Sequence, residues 1–137
     1  MKILQVFPLF ALLLFAAGSS LAQLSMQNMK ADVPFAFSVA DQQFPAGQYV
    51  VAGVGSQGVL AVRGSGKQFK MIVSHEVESA KPSQTSKLVF HRYGDQYILS
   101  EIWLQGEIRG RQLPRTKLEK ELAARAEYEA SEVMARK

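Results

Sequence analysis

Apolar and polar positions alternate along most of the chain, with a period of two. Val33, Phe35, Phe37 and Val39 recur at every second position and share one face of a predicted strand. Pro34 near its start suits a first or edge strand, because proline cannot donate to a ladder. Ala40 to Gln43 reads as a polar turn, and Phe44-Pro45-Ala46-Gly47 has the chemistry of a β-turn. Further strands are predicted over Tyr49 to Val54, Val59 to Arg63 and, at greater length, Gln68 to about Glu78. Gly55-Ser56-Gln57-Gly58 and Gly64-Ser65-Gly66 turn the chain between them. Ser79 to Ser86 is the longest polar connection. Lys87 to Tyr93 and Gln96 to Gln105 then make the clearest hairpin, since Gly94-Asp95 suits a two-residue type II′ turn. Gly106 and Gly110 bracket a short final strand or turn. Short consecutive strands with glycine-rich turns predict a mainly β domain over residues 31–113. It is a small antiparallel β-barrel or sandwich of six to seven strands, followed by a C-terminal α-helix.

The two ends depart from this pattern. Lys2 precedes an unbroken apolar run from Leu9 to Ala17, and Ser20-Leu21-Ala22 offers small residues at a cleavage site. Residues 1–22 therefore read as a secretory signal peptide, too short in its apolar part to be a membrane anchor. Residues 23–30 have no clear period and read as a flexible lead-in. After Pro114 the composition turns to Ala, Glu, Lys and Arg. Thr116-Lys117-Leu118-Glu119 matches a capping box, in which Thr116 caps the Glu119 N–H and Glu119 reaches back. Leu118, Leu122, Ala126, Ala130 and Met134 recur every four residues, so residues 114–137 are expected to form a helix whose first two turns dock and whose remainder projects. Arg125 and Glu129 fall where a coiled-coil seam needs apolar residues.

Composition narrows the function classes. The chain of 137 residues has no cysteine, which removes disulfides, Cys-ligated zinc and haem attachment. Without its leader it is about 115 residues and about 43% hydrophobic, enough for one core held by packing alone. The formal charge of +4 falls to about +3 without Lys2, too little to argue for nucleic acid. Charge beyond Arg115 is balanced, so neither a surface-bound nor an inserted membrane segment is expected after cleavage. The protein is expected to be exported, to the periplasm or outside the cell.

Val33-Pro34-Phe35-Ala36-Phe37, Pro45-Ala46-Gly47-Gln48-Tyr49, Leu88-Val89-Phe90-His91-Arg92-Tyr93-Gly94-Asp95 and Leu99-Ser100-Glu101-Ile102-Trp103 form a constellation. It resembles a family of uncharacterised small exported bacterial β-rich proteins, from about Val33 to Ala123. The resemblance implies export and a small β domain. It implies no activity and no catalytic residue.

Candidate chemistry is sparse. There is no Gly-x-Ser-x-Gly elbow, Ser74-His75 adjacency is no triad, and the glycine pairs lie in turns without a following helix. No catalytic residue and no cofactor is therefore assigned. Only two histidines are present. If the strands carrying His75 and His91 pair through the Ser79–Ser86 connection, the two imidazoles come within reach of one metal, although Glu76 and Glu78 then face away. A one-residue slip ends that idea.

Pairing Tyr93 with Gln96 puts Leu88, Phe90, Arg92, Tyr97, Leu99, Glu101 and Trp103 on one face. Glu101 then lies between Leu99 and Trp103 and needs a cation, for which Arg63, Arg92, Arg109 and Arg111 are the candidates. A structural ion pair and an orienting group in an apolar pocket both satisfy that need. The expectation is a non-enzymatic binding module for a small apolar ligand or an envelope component. Its candidate ligand-binding residues are Glu101, Trp103, Tyr97, Phe90, Phe35 and Phe37. The alternative is a structural or interaction protein of the envelope, acting through its sheet surface or its C-terminal helix.

Overall fold

A computed structural model describes residues 28–54 and 58–136. The expected signal peptide and most of the expected lead-in lie outside the described residues. Eleven strands and one short helix follow in chain order. The first half holds β1 (Met29–Val33), β2 (Phe37–Val39), β3 (Gln42–Phe44), β4 (Gly47–Gly53), β5 (Val59–Gly64), β6 (Phe69–Val73) and β7 (His75–Glu78). The second holds β8 (Lys87–Tyr93), β9 (Gln96–Trp103), β10 (Arg109–Gln112), the helix α1 (Lys117–Ala123) and β11 (Glu129–Arg136). The strands form one nearly closed, barrel-like sheet in the order β3-β2-β9-β8-β11-β1-β4-β5-β6, with β10 joining β9 to β7. All pairs are antiparallel except the single contact of β2 with β9.

The mainly β expectation holds, with eleven strands rather than six or seven. Two predicted strands are each divided. Pro34 ends β1, and Phe37 starts β2 on another part of the sheet. The long strand over Gln68 to Glu78 breaks at Ser74. There the Ser74 N–H donates to the Gly58 carbonyl at 2.7 Å, and the Arg111 guanidinium donates to Ser74 Oγ at 2.9 Å and to its carbonyl at 2.6 Å. Those bonds redirect the chain from β5 to β10. Gly58, at φ +87°, leaves the room: a Cβ would stand 2.8 Å from both Arg111 Nη2 and the Ser74 carbonyl. The β1 strand also begins inside the expected lead-in, with Met29 fully buried.

The C-terminal helix is a correction of larger consequence. Only Lys117–Ala123 is helical, and Glu129–Arg136 is a strand inserted between β8 and β1. The four-residue stripe misled because four is a multiple of two as well as nearly one helical turn. Ala130 and Met134 share a face in either structure. In β11 they point outward with Glu132, while Ser131, Val133 and Ala135 turn inward. The pairing that this strand supplies to two open edges outweighs the helix propensity of its residues.

The interior is apolar and aromatic. Phe37 packs on Phe44, Tyr49 and Phe90 at ring distances of 5.5, 4.9 and 5.3 Å. Met29, Leu60, Leu88 and Ile102 complete the centre. Phe35 closes one side, on edge to Phe90 and stacked on Tyr97 at 3.7 Å. Such aromatic pairs contribute about 0.5–1.5 kcal/mol each beyond burial.

Truncation after Ala124 removes β11 and reopens the edges of β8 and β1. The truncated protein is expected to lose cooperative thermal unfolding in circular dichroism, and a two-state melt at the full-length temperature would refute the closing role of β11.

Candidate functional site

The outer face of β9, β8 and β11 is a three-strand grid. Register places Trp103, Lys87 and Met134 in one cross-strand row and Glu101, Val89 and Glu132 in the next. His91 and Ala130 form a third row beside Ile98. The Ser79–Thr85 segment and Tyr128 wall this grid into a groove of about 630 Å³. Lys87 Nζ and Glu132 Oε1 are paired across it at 2.8 Å.

His91 is the oriented polar group of the groove. It is 6% exposed, and its Nδ1 stands 2.6 Å from Oε1 of Glu119, itself 3% exposed on α1. The Tyr93 hydroxyl donates to the same oxygen at 3.1 Å. The Arg115 guanidinium lies 3.9 Å from that oxygen, on the exposed side. A buried carboxylate is costly without such donors. As a carboxylate, Glu119 only accepts, so Nδ1 carries a proton, and in the neutral form of the imidazole Nε2 is then the unprotonated nitrogen. Nε2 has no partner among the described residues, and no fully buried side-chain nitrogen or oxygen there lacks one. Nε2 therefore reaches open space, and His91 lines the groove. One face of the imidazole is covered by the Tyr128 ring at 3.7 Å, nearly parallel to it. The Arg115 guanidinium carbon stands 5.9 Å from the Tyr128 ring centre.

Burial, the negative charge of Glu119 and the hydrogen bond to it together push the Tyr93 hydroxyl up to about 12 from its ordinary 10.0. The neutral phenol is the form that donates to Glu119.

The candidate ligand-binding residues do not converge. A β-bulge separates the pairs Val89–Glu101 and Phe90–Leu99, leaving Ser100 as the extra residue. The bulge reverses the face of everything beyond it. Leu99 and Phe90 stay inside with Phe37, and Phe35 and Tyr97 pack at their side. Glu101 and Trp103 move to the outer face and line the groove. The shared face expected for Leu99, Glu101 and Trp103 is thus corrected. Glu101 Oε2 accepts from Trp103 Nε1 at 2.8 Å. None of the four expected cations pairs with it: Arg63 lies over Phe69, Arg92 bonds the Gly94 carbonyl, Arg109 faces Glu76 and Glu78, and Arg111 holds Ser74. The Trp103 ring crosses Gly110, where a Cβ would come within 2.6 Å of it. Only glycine allows that approach.

The strands of His75 and His91 are not neighbours either. β10 and β9 lie between them, so the pairing through the Ser79–Ser86 connection is corrected. His75 is exposed and its Nε2 meets Gln112 Oε1 at 3.0 Å. No group of three or more His, Asp or Glu able to hold a metal is found among the described residues. Glu119, Tyr93 and Tyr128 are the site residues that sequence reasoning missed. The one signal was Glu119 itself, as an acid in a capping box on a helix leading back over the sheet.

Compared with protein-family models, curated proteins and solved structures, the chain matches none of them.

Two outcomes test this geometry. His91→Ala strands the Glu119 carboxylate and is expected to cost about 3–5 kcal/mol in denaturant unfolding, with part recovered by adding Glu119→Gln. If Glu119→Gln deepens the loss, the carboxylate is not the stranded charge. The raised Tyr93 stabilises the fold fully below pH 10, and this contribution is lost as pH rises towards 12. Unfolding free energy is therefore expected to fall less steeply across that interval in Tyr93→Phe than in the parent protein.

Proposed function

We propose that this chain is an exported, non-enzymatic binding module that seats a small ligand in the groove over β9, β8 and β11. The observation that carries the reading is a buried imidazole, fixed from behind by Glu119, with its free nitrogen on a groove of about 630 Å³. Small-molecule sites combine apolar walls with a few oriented polar groups. Val89, Trp103, Tyr128 and Met134 supply the first, and His91 and Glu101 the second. The ligand is accordingly amphipathic, with an apolar body and a polar end. Export rests on the sequence pattern of residues 1–22, and so does a periplasmic or extracellular location. The resemblance to small exported bacterial β-rich proteins is consistent with both.

A second reading, an envelope interaction protein working through its sheet surface, has one observation in its favour. Phe69, Met71 and Val73 stand exposed in alternation along β6. The groove reading is preferred because it also accounts for a buried, oriented imidazole.

Trp103 is the single tryptophan and lines the groove. Titration with a broad panel of amphipathic metabolites is expected to yield at least one compound that both changes its fluorescence and raises the melting temperature. A panel that moves neither signal would overturn the groove reading.

A further inference from the structure

We infer that the groove selects a neutral planar aromatic ligand bearing a hydroxyl group, whose O–H donates to His91 Nε2. This rests on the binding role proposed for the groove and names the class of ligand. Glu119 holds the proton on Nδ1, so in the neutral imidazole the nitrogen offered to the groove is an acceptor. Glu101 and Glu132 add further acceptors. The indole N–H of Trp103, which would have been a donor, is already given to Glu101, and Lys87 is given to Glu132. At Nε2, therefore, it is the ligand that brings the donor.

Its charge follows from the same neighbours. An anion would enter a groove that already holds the Glu101 and Glu132 carboxylates. An ammonium would enter a groove that also holds the Lys81 and Lys87 ammonium groups. A neutral hydroxyl avoids both repulsions. A flat ring suits a groove that has the aromatic rings of Tyr128 and Trp103 in its lining. Glu119 and Tyr93 are positioning residues here, acting only through His91.

The test compares 2-naphthol with 2-methoxynaphthalene, which keeps the ring and loses the donor, by calorimetry on the parent protein. A site built to receive a hydroxyl rejects the ether, so 2-naphthol is expected to bind about tenfold tighter or more. In ¹⁵N-histidine spectra the Nε2 signal of His91, told from that of His75 by a His75→Gln variant, is expected to shift with 2-naphthol and not with the ether. His91→Phe keeps a ring against Tyr128 and removes the acceptor, so the preference should vanish. Should that variant fail to fold, the spectra of the parent protein decide. Equal binding of the two naphthalenes overturns the hydroxyl inference and leaves the groove reading standing. Tighter binding of 2-naphthylmethylamine than of 2-naphthol overturns it in favour of a cationic ligand. Binding of neither naphthalene overturns it as well, and the metabolite panel then decides separately whether the groove reading survives.

Discussion

Until the last strand arrives, β8 and β1 each present an open edge of backbone N–H and C=O groups above an apolar interior. β11 pairs with β8 from Glu129 to Met134 and with β1 through Ala135 and Arg136. Such edges are sites of association and carry unsatisfied polar groups wherever they are buried. The same insertion buries Val133 against Leu88 and the rest of the core. It also dictates the path of the chain before it. To travel from β10 to the gap beside β8, residues 113–128 must pass the outer face of β8. That passage brings α1 over His91 and Tyr93 and lays Tyr128 on the imidazole. Closure of the sheet and assembly of the site are thus one event.

The site carries an electrostatic cost that the fold has to offset. A carboxylate as buried as Glu119 is destabilising unless donors replace its water. Two donors reach its Oε1, and Arg115 adds charge from the surface. An apolar residue at position 119, with matching changes at His91 and Tyr93, would avoid the cost altogether. What the polar arrangement provides instead is direction: it fixes which imidazole nitrogen bears the proton and which meets the groove. A purely structural layer gains nothing from that choice, whereas a binding surface does.

Much of the fold was legible in the chain because turn chemistry and period-two alternation are local. The Gly94-Asp95 hairpin, the β4 and β5 strands and the Thr116 cap all follow from a few adjacent residues. What was not legible depends on distant partners. The bulge at Ser100 leaves no mark in an otherwise regular alternation, yet it carries Glu101 and Trp103 to the opposite side from Leu99. β10 enters between β7 and β9 although a shorter connection would have paired β7 with β8. Residues 129–136 have a composition that suits a helix, and only the gap between β8 and β1 makes them a strand.

Glu119 shows how such a site can still betray itself locally. In a complete capping box the acid at the third position turns back to the N–H of the capping residue. Here half of the box forms: Thr116 Oγ1 accepts from the Glu119 N–H at 3.2 Å. The Glu119 side chain forgoes the return bond and enters the sheet layer to meet His91 and Tyr93. A residue that satisfies its local motif with its backbone and breaks it with its side chain is under a second demand. Local rules are expected to fail where function or strain intervenes. The failure at Glu119 coincides with the buried imidazole facing the groove, so the departure from the cap and the orientation of His91 have a common cause.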